Sequence, residues 1–154
     1  MASRYIMIRL VVFIIILLSS AISNERENII NLLENYNNAF GKSDYSEIIN
    51  CFDYPTSFNL IDKTIIASNK LKLKFIYKKI RGDLPDYYSY SKWDSINIEL
   101  LDDRIAIVSA RFSRYKNDNS VFYSGAGKYN LRFKNGEWKI FSITPYINMK
   151  NLDE

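Results

Sequence analysis

The groups able to do chemistry in this chain are hydroxyls, carboxylates and cationic side chains: the sequence holds 12 Tyr, 17 Asp+Glu and 21 Lys+Arg but no His. Without imidazole there is no Ser-His-Asp or Cys-His pair, no histidine general base and no His-bearing zinc or iron site. A single cysteine, Cys51, removes internal disulfides, Cys-rich metal clusters and dithiol redox chemistry. Flanked by Ile48, Ile49 and Phe52, it reads as a buried small hydrophobe, with intermolecular pairing as the alternative. No metal or cofactor is expected. Tyr36 falls on an apolar helical stripe, where its hydroxyl either enters a pocket or is satisfied within the core. Asp53, ahead of Tyr54-Pro55, offers a carboxylate at a pocket mouth or simply starts a turn. Arg111 alternates with Ser109 and Ser113. Facing inward it would need an anionic partner or ligand, because burying an unpaired guanidinium costs several kcal/mol, by order of magnitude; facing outward it is ordinary. Tyr87, Tyr88, Tyr90 and Trp93 form either a stacking platform or one alternating half-buried strand. Lys70, Lys72, Lys74, Lys78, Lys79 and Arg81 surround Leu71, Phe75 and Ile76, which suits a solvated helix face or contact with an anionic surface.

These side chains need elements to position them. Asn24 and Glu27 form a capping box, and Ile29, Leu33, Tyr36 and Phe40 then recur at helical spacing until Gly41. Ser43-Asp44 can cap a shorter helix through Phe52, Thr56–Ile61 reads as a short strand after Pro55, and Ser68 can cap a helix over 69–80. From Tyr87 the period changes to two, predicting strands at about 88–101, 104–115, 120–134 and 137–144. Asn135-Gly136 is a two-residue hairpin signal, and Gly125 and Gly127 suggest a bulge or bend. Alternation puts Ala106, Val108, Ala110 and Phe112 on one face, Tyr123, Tyr129, Leu131 and Phe133 on one face, and Trp138, Ile140 and Ser142 on one face. Helices followed by an antiparallel meander define one α+β domain.

Residues 1–23 read as an address. Arg4 and Arg9 precede an apolar run of nine, Leu10–Leu18, and Ser19–Ser23 supplies small residues at signal-peptidase spacing. A cleaved signal peptide and a secreted or periplasmic chain of residues 24–154 are expected, an uncleaved membrane anchor being the alternative. Cleavage would remove two Arg, leaving 19 basic and 17 acidic residues, a balance that gives no reason to invoke nucleic acid.

The element order resembles the nuclear transport factor 2-like superfamily, including SnoaL-like and ketosteroid-isomerase-like domains. Residues 31–40 followed by Ser43-Asp44-Tyr45 look like its first helix and bend, and Ile48–Phe52 is similar to its second helix. Ala106-Ile107-Val108 and Gly136-Glu137-Trp138-Lys139-Ile140 resemble motifs of its last strands. The resemblance implies a cystatin-like cone: a strongly bent antiparallel sheet wrapped around the N-terminal helix, with two further short helices, a pocket at the open end, and often a homodimer. Candidate pocket residues are Tyr36, Phe58, Phe112, Tyr129, Trp138 and Ile140, with Asp53 and Arg111 as polar candidates.

Aligned with the isomerases, Tyr36 stands at the oxyanion-hole Tyr, Leu60 at the general-base Asp, and Tyr129 or Asn130 at the second oxyanion acid. Leucine cannot take a proton. Cyclases and dehydratases of the superfamily lean on His, and an Asp-Arg-Asp arrangement from Asp53, Arg111 and Asp94 is not selected by spacing over surface ion pairs. The expectation is non-catalytic binding of a small, largely apolar molecule. The alternatives are an isomerase or lyase using Tyr and Asp, and an assembly module with a filled cone.

Overall fold

The computed structural model describes residues 24–147, so the 1–23 address segment lies outside the described residues. Helix α1 covers residues 24–41, followed by α2 (Tyr45–Asn50), β1 (Phe52–Asn59), β2 (Thr64–Ala67), α3 (Lys70–Gly82), β3 (Tyr88–Asp102), β4 (Ile105–Lys116), β5 (Val121–Lys134) and β6 (Glu137–Tyr146). The strands form one curved, unclosed sheet in the order β2-β1-β6-β5-β4-β3. Every neighbouring pair is antiparallel except β1 and β6, which run parallel.

The local chemistry of the chain explains most of these boundaries. Asp44 caps α2 by accepting from the backbone N–H groups of Ser46 and Glu47, both at 3.1 Å. The left-handed residue between α1 and α2 is Ser43 (φ 56°), while Gly41 is still helical. Helix α2 stops at Asn50, and Phe52 opens β1 instead of ending the helix. Pro55 is accommodated inside β1 because residues 53–55 are paired with neither neighbour, so its missing N–H leaves no ladder bond unmade. Asn69, not Ser68, caps α3, accepting from Lys72 N at 2.9 Å. Asn135 (φ 54°) and Gly136 (φ 84°) make the expected hairpin turn between β5 and β6.

Helix α1 lays Ile29, Leu33, Asn37 and Phe40 against the sheet, where Val108, Leu131 and Ile140 are buried. On α3 the buried side is Leu73 and Tyr77, with Ile76 and Ile80 beside them. Leu71 and Phe75 instead face solvent, contrary to their expected place in the apolar core of that helix. Cys51 is buried as expected, its thiol donating to the Glu47 carbonyl at 3.3 Å, and burial pushes its pKa up to about 11.

Strand phase decides which side chains face α1. β4 and β5 pair without interruption from Ile105 to Arg114, placing Arg114 opposite Tyr123, Phe112 opposite Gly125, Ala110 opposite Gly127 and Val108 opposite Tyr129. Gly125 and Gly127 therefore mark no bulge between these strands. At Gly125 a Cβ would lie 2.8 Å from the Tyr123 ring and 2.9 Å from that of Phe112, so glycine there makes room for two aromatic rings. The irregularity sits between β5 and β6, where Asn130 pairs with Ser142 and Leu131 with Ile140. Phe141 is the extra residue, so Ile143 takes the inward phase and Ser142 turns away. Ser142 consequently accepts from Ser57 Oγ at 3.0 Å and Asn59 Nδ2 at 2.8 Å, and does not share the face of Ile140.

Candidate functional site

A cavity of about 220 Å³ lies between α1, α3 and the concave face of the sheet. Tyr36, Asn37 and Phe40 enter it from α1, Tyr77 and Ile80 from α3, and Phe58 and Leu60 from the end of β1. The sheet contributes Ser91 and Trp93 from β3, Phe112 and Arg114 from β4, Tyr123 and Tyr129 from β5, and Ile143 and Pro145 from β6. Gly127, opposite the inward Ala110 and beside Tyr129, brings no side chain to this wall.

Three tyrosines converge at its inner end. Tyr77 donates its hydroxyl proton to Tyr36 Oη at 3.0 Å, and the Tyr36 ring meets Tyr129 edge-on at a centroid distance of 6.3 Å. Trp93 stands perpendicular to Tyr129 at 5.7 Å and donates its indole N–H to the Leu33 carbonyl at 3.2 Å. Burial pushes the Tyr36 phenol up to about 12, against the opposing pulls of the Tyr77 hydrogen bond and the Arg114 charge. Burial likewise lifts Tyr77 and Tyr129 well above the ordinary phenol value. All three are neutral at physiological pH, so they can donate hydrogen bonds but do not act as bases. Asn37 is buried with its amide nitrogen donating to the Ser91 carbonyl at 2.9 Å.

The charge facing this space is Arg114. Its guanidinium carbon lies 5.0 Å from the Tyr123 ring centroid, 5.3 Å from Phe112 and 5.8 Å from Phe40. Its Nε is buried and has no hydrogen-bond partner. Among the described residues its guanidinium forms no ion pair. Among the described residues no Asp, Glu, Lys or Cys lines the cavity, and no group of three or more could ligate a metal through His, Cys, Asp or Glu.

Of the residues expected in the pocket, Tyr36, Phe58, Phe112 and Tyr129 line the cavity. Trp138 and Ile140 do not. Both are buried on the inward phase of β6 but beyond the Phe141 irregularity, toward the opposite end of α1. There the Trp138 indole donates to Glu25 and the ring faces a polar groove with Asn28, Asn31 and Lys139. Leu60, at the place the resemblance assigns to a general base, does line the cavity. Arg111 points away from it and is exposed, paired in the ladder with Ala126.

Asp53 is also outside the cavity, accepting from Arg132 at 2.8 Å and Lys134 at 2.9 Å. Burial alone would raise its carboxyl, but the Lys134 and Arg132 hydrogen bonds outweigh it and hold the pKa below the usual value. The depressed folded pKa means stabilisation that is present above the unfolded value and lost as pH falls through the folded one. Asp53→Asn is therefore expected to cost about 1 kcal/mol near neutrality, discounted for the half-exposed cations. The difference from wild type should shrink as pH falls below the usual carboxylate value, in urea titrations run across pH. A pH-independent difference would show that the ion pairs are not its cause.

The aromatic cluster of β3 divides between two faces. Tyr88 and Trp93 turn inward, while Tyr90 stacks on Tyr115 at 4.8 Å and Tyr87 meets Phe122 edge-on. It is an alternating strand, not a platform. Sequence alternation singled out Arg111 and passed over Arg114, although Ala110, Phe112 and Arg114 share one parity. One more step along that alternation finds the inward guanidinium.

Residues 25–147 match the family model described as NTF2-like protein (DUF6841). No curated protein is significantly similar to the chain. Among solved structures, a protein of unknown function with a cystatin-like fold from Nostoc punctiforme superposes with a TM-score of 0.69 at 14% identity, covering 80% of this chain and 90% of that one. An NTF-2 like protein of unknown function from Shewanella oneidensis gives 0.63 at 16% identity, covering 79% and 98%. A proposed scytalone dehydratase from Novosphingobium aromaticivorans gives 0.62 at 14% identity, covering 85% and 89%. Likeness at this identity establishes the fold alone. Helix α1 against a curved six-stranded sheet, together with a family match over the described domain, settles the membership: the chain belongs to the NTF2-like family DUF6841.

Proposed function

We propose that this domain binds a small, largely apolar molecule in the cavity between α1 and the sheet, without catalysing its conversion. The observation that carries this is the composition of the lining: aromatic and aliphatic walls, tyrosine hydroxyls held neutral, and Leu60 where an isomerase would need a carboxylate. General acid–base catalysis works best with a group whose pKa lies near working pH, and burial moves the lining tyrosines away from it. An open cavity also argues against the assembly reading, which a filled cone would favour. The residues 1–23 pattern supports binding outside the membrane that the chain would cross, as a secreted or periplasmic protein.

Native mass spectrometry of the full chain expressed in an exporting host tests both statements. The polypeptide mass reads whether residues 1–23 are removed, and a mass excess lost on denaturation reads an occupied cavity. Leu60→Trp, which adds bulk at the mouth without removing a core side chain, is expected to abolish that excess while leaving thermal stability within about 1 kcal/mol. A bound species that persists in Leu60→Trp would sit elsewhere, and the cavity assignment would be wrong.

A further inference from the structure

We propose that the ligand is a small carboxylic acid: its carboxylate is held by Arg114, and its single ring or short hydrocarbon chain packs between Trp93, Phe112 and Tyr129. This rests on the binding reading above and gives it a ligand class.

The argument is an imbalance between donors and acceptors. Arg114 offers guanidinium N–H groups and no acceptor. The described residues supply no anion to it: the rings of Phe40, Phe112 and Tyr123 surround the cation, and none of the described carboxylates pairs with it. The nearby tyrosines cannot serve as phenolates, since burial keeps Tyr36 and Tyr129 protonated. They are further donors, because the Tyr36 proton and the Tyr129 proton are given to no other described residue. The carbonyls at the end of α1 are already occupied, those of Asn38, Ala39 and Phe40 accepting from Lys42, Asp44 and Ser43. The lining also holds neutral acceptors, the Asn37 amide oxygen and the tyrosine oxygens, but none of them balances the charge; a ligand that does so brings an anionic acceptor, and an ionised carboxylate is an acceptor-only group whose two oxygens match the guanidinium fork.

Arg81 also has an unpartnered buried Nε and stacks on Tyr88 but does not line the cavity, and the fold handles Asp53 differently. Asp53 is given two cationic partners from β5, whereas Arg114 is given aromatic faces and an open side toward the cavity. Aromatic faces stabilise a guanidinium electrostatically without using its N–H groups, which stay available in the sheet plane of the cation. At about 220 Å³ the space is below the range of about 300–1,000 Å³ typical of drug-sized ligands, which limits the hydrocarbon part to one ring or a short chain.

The probes are 3-phenylpropionate and its neutral amide, 3-phenylpropionamide, titrated calorimetrically into the full chain. The acid is expected to bind at least tenfold more tightly than the amide. Arg114→Gln should erase the preference for the acid over the amide. Raising the salt concentration should weaken the acid alone. Equal affinity of acid and amide for wild type would overturn the carboxylate assignment while leaving the cavity as a binding site. That comparison needs no variant to fold. If neither probe binds, the species released in native mass spectrometry decides. One that ionises as a carboxylate anion upholds the inference, and one without an acidic group overturns it. An unliganded mass in that case overturns the binding reading and the ligand class together.

Discussion

Tyr77→Ala is expected to lower the stability of the domain by about 3–5 kcal/mol, the range for removing a buried aromatic ring and leaving a cavity behind. Tyr77 is 1% exposed and meets four rings, those of Tyr36, Phe40, Phe52 and Phe58, at centroid distances of 5.7–6.2 Å. It is also the residue through which α3 reaches both α1 and β1. Small domains have total stabilities of about 5–15 kcal/mol, so the loss would leave a marginal fold. Tyr77→Phe separates ring from hydroxyl. It keeps the packing, takes the donor from Tyr36, and should cost about 1 kcal/mol. Urea denaturation checks both, as a shift in midpoint at constant slope. A cost below about 1 kcal/mol for the alanine variant would mean that α3 is not anchored through this ring.

Arg114→Met should leave the free chain nearly as stable as wild type and reduce the gain from ligand. In the free chain, Met retains the apolar stem against Phe112 and Tyr123 and removes a buried, unpartnered Nε. An unmet buried donor costs about 1–3 kcal/mol and the three lost cation–π contacts together about 1.5–3 kcal/mol, so the two changes nearly cancel and the free variant should lie within about 1 kcal/mol of wild type. With 3-phenylpropionate at a hundred times the wild-type dissociation constant, wild type gains about 2.7 kcal/mol from selective binding to the folded state, and a variant that binds tenfold more weakly gains about 1.4 kcal/mol. Ligand should therefore raise the melting temperature of wild type more than that of the variant, and differential scanning fluorimetry reads this directly. A variant that falls below wild type by the same margin with and without ligand would make Arg114 a structural residue. Strained or unsatisfied groups kept at a site at the expense of the free fold are a recurring mark of function, and Arg114 fits that pattern.

The elements were largely legible because their signals are local. The α1 stripe of Ile29, Leu33 and Phe40, the Asp44 cap and the Asn135-Gly136 turn depend on residues within a few positions of one another. Inward faces were legible only as far as the alternation stayed in phase. It held through Ala106, Val108, Ala110 and Phe112, where β4 and β5 pair without a break. It failed at Ser142 because the extra residue Phe141 is set by pairing with β5, and nothing within β6 announces it.

The sequence by itself determined the class of fold and the chemistry that is missing: local periodicity sets helix and strand, and composition alone removes imidazole and dithiol mechanisms. It also brought Tyr36 and Tyr129 forward as pocket hydroxyls, through periodicity and family resemblance. Only the tertiary structure decided that Trp138 and Ile140 stand at the far end from the cavity, and that Asp53 is spent on Arg132 and Lys134. It alone decided that Arg114 and not Arg111 is the inward cation. Whether a charge is paired depends on side chains brought together from distant strands, and on which end of a curved sheet remains open. Those distances exist only once the chain has closed around α1.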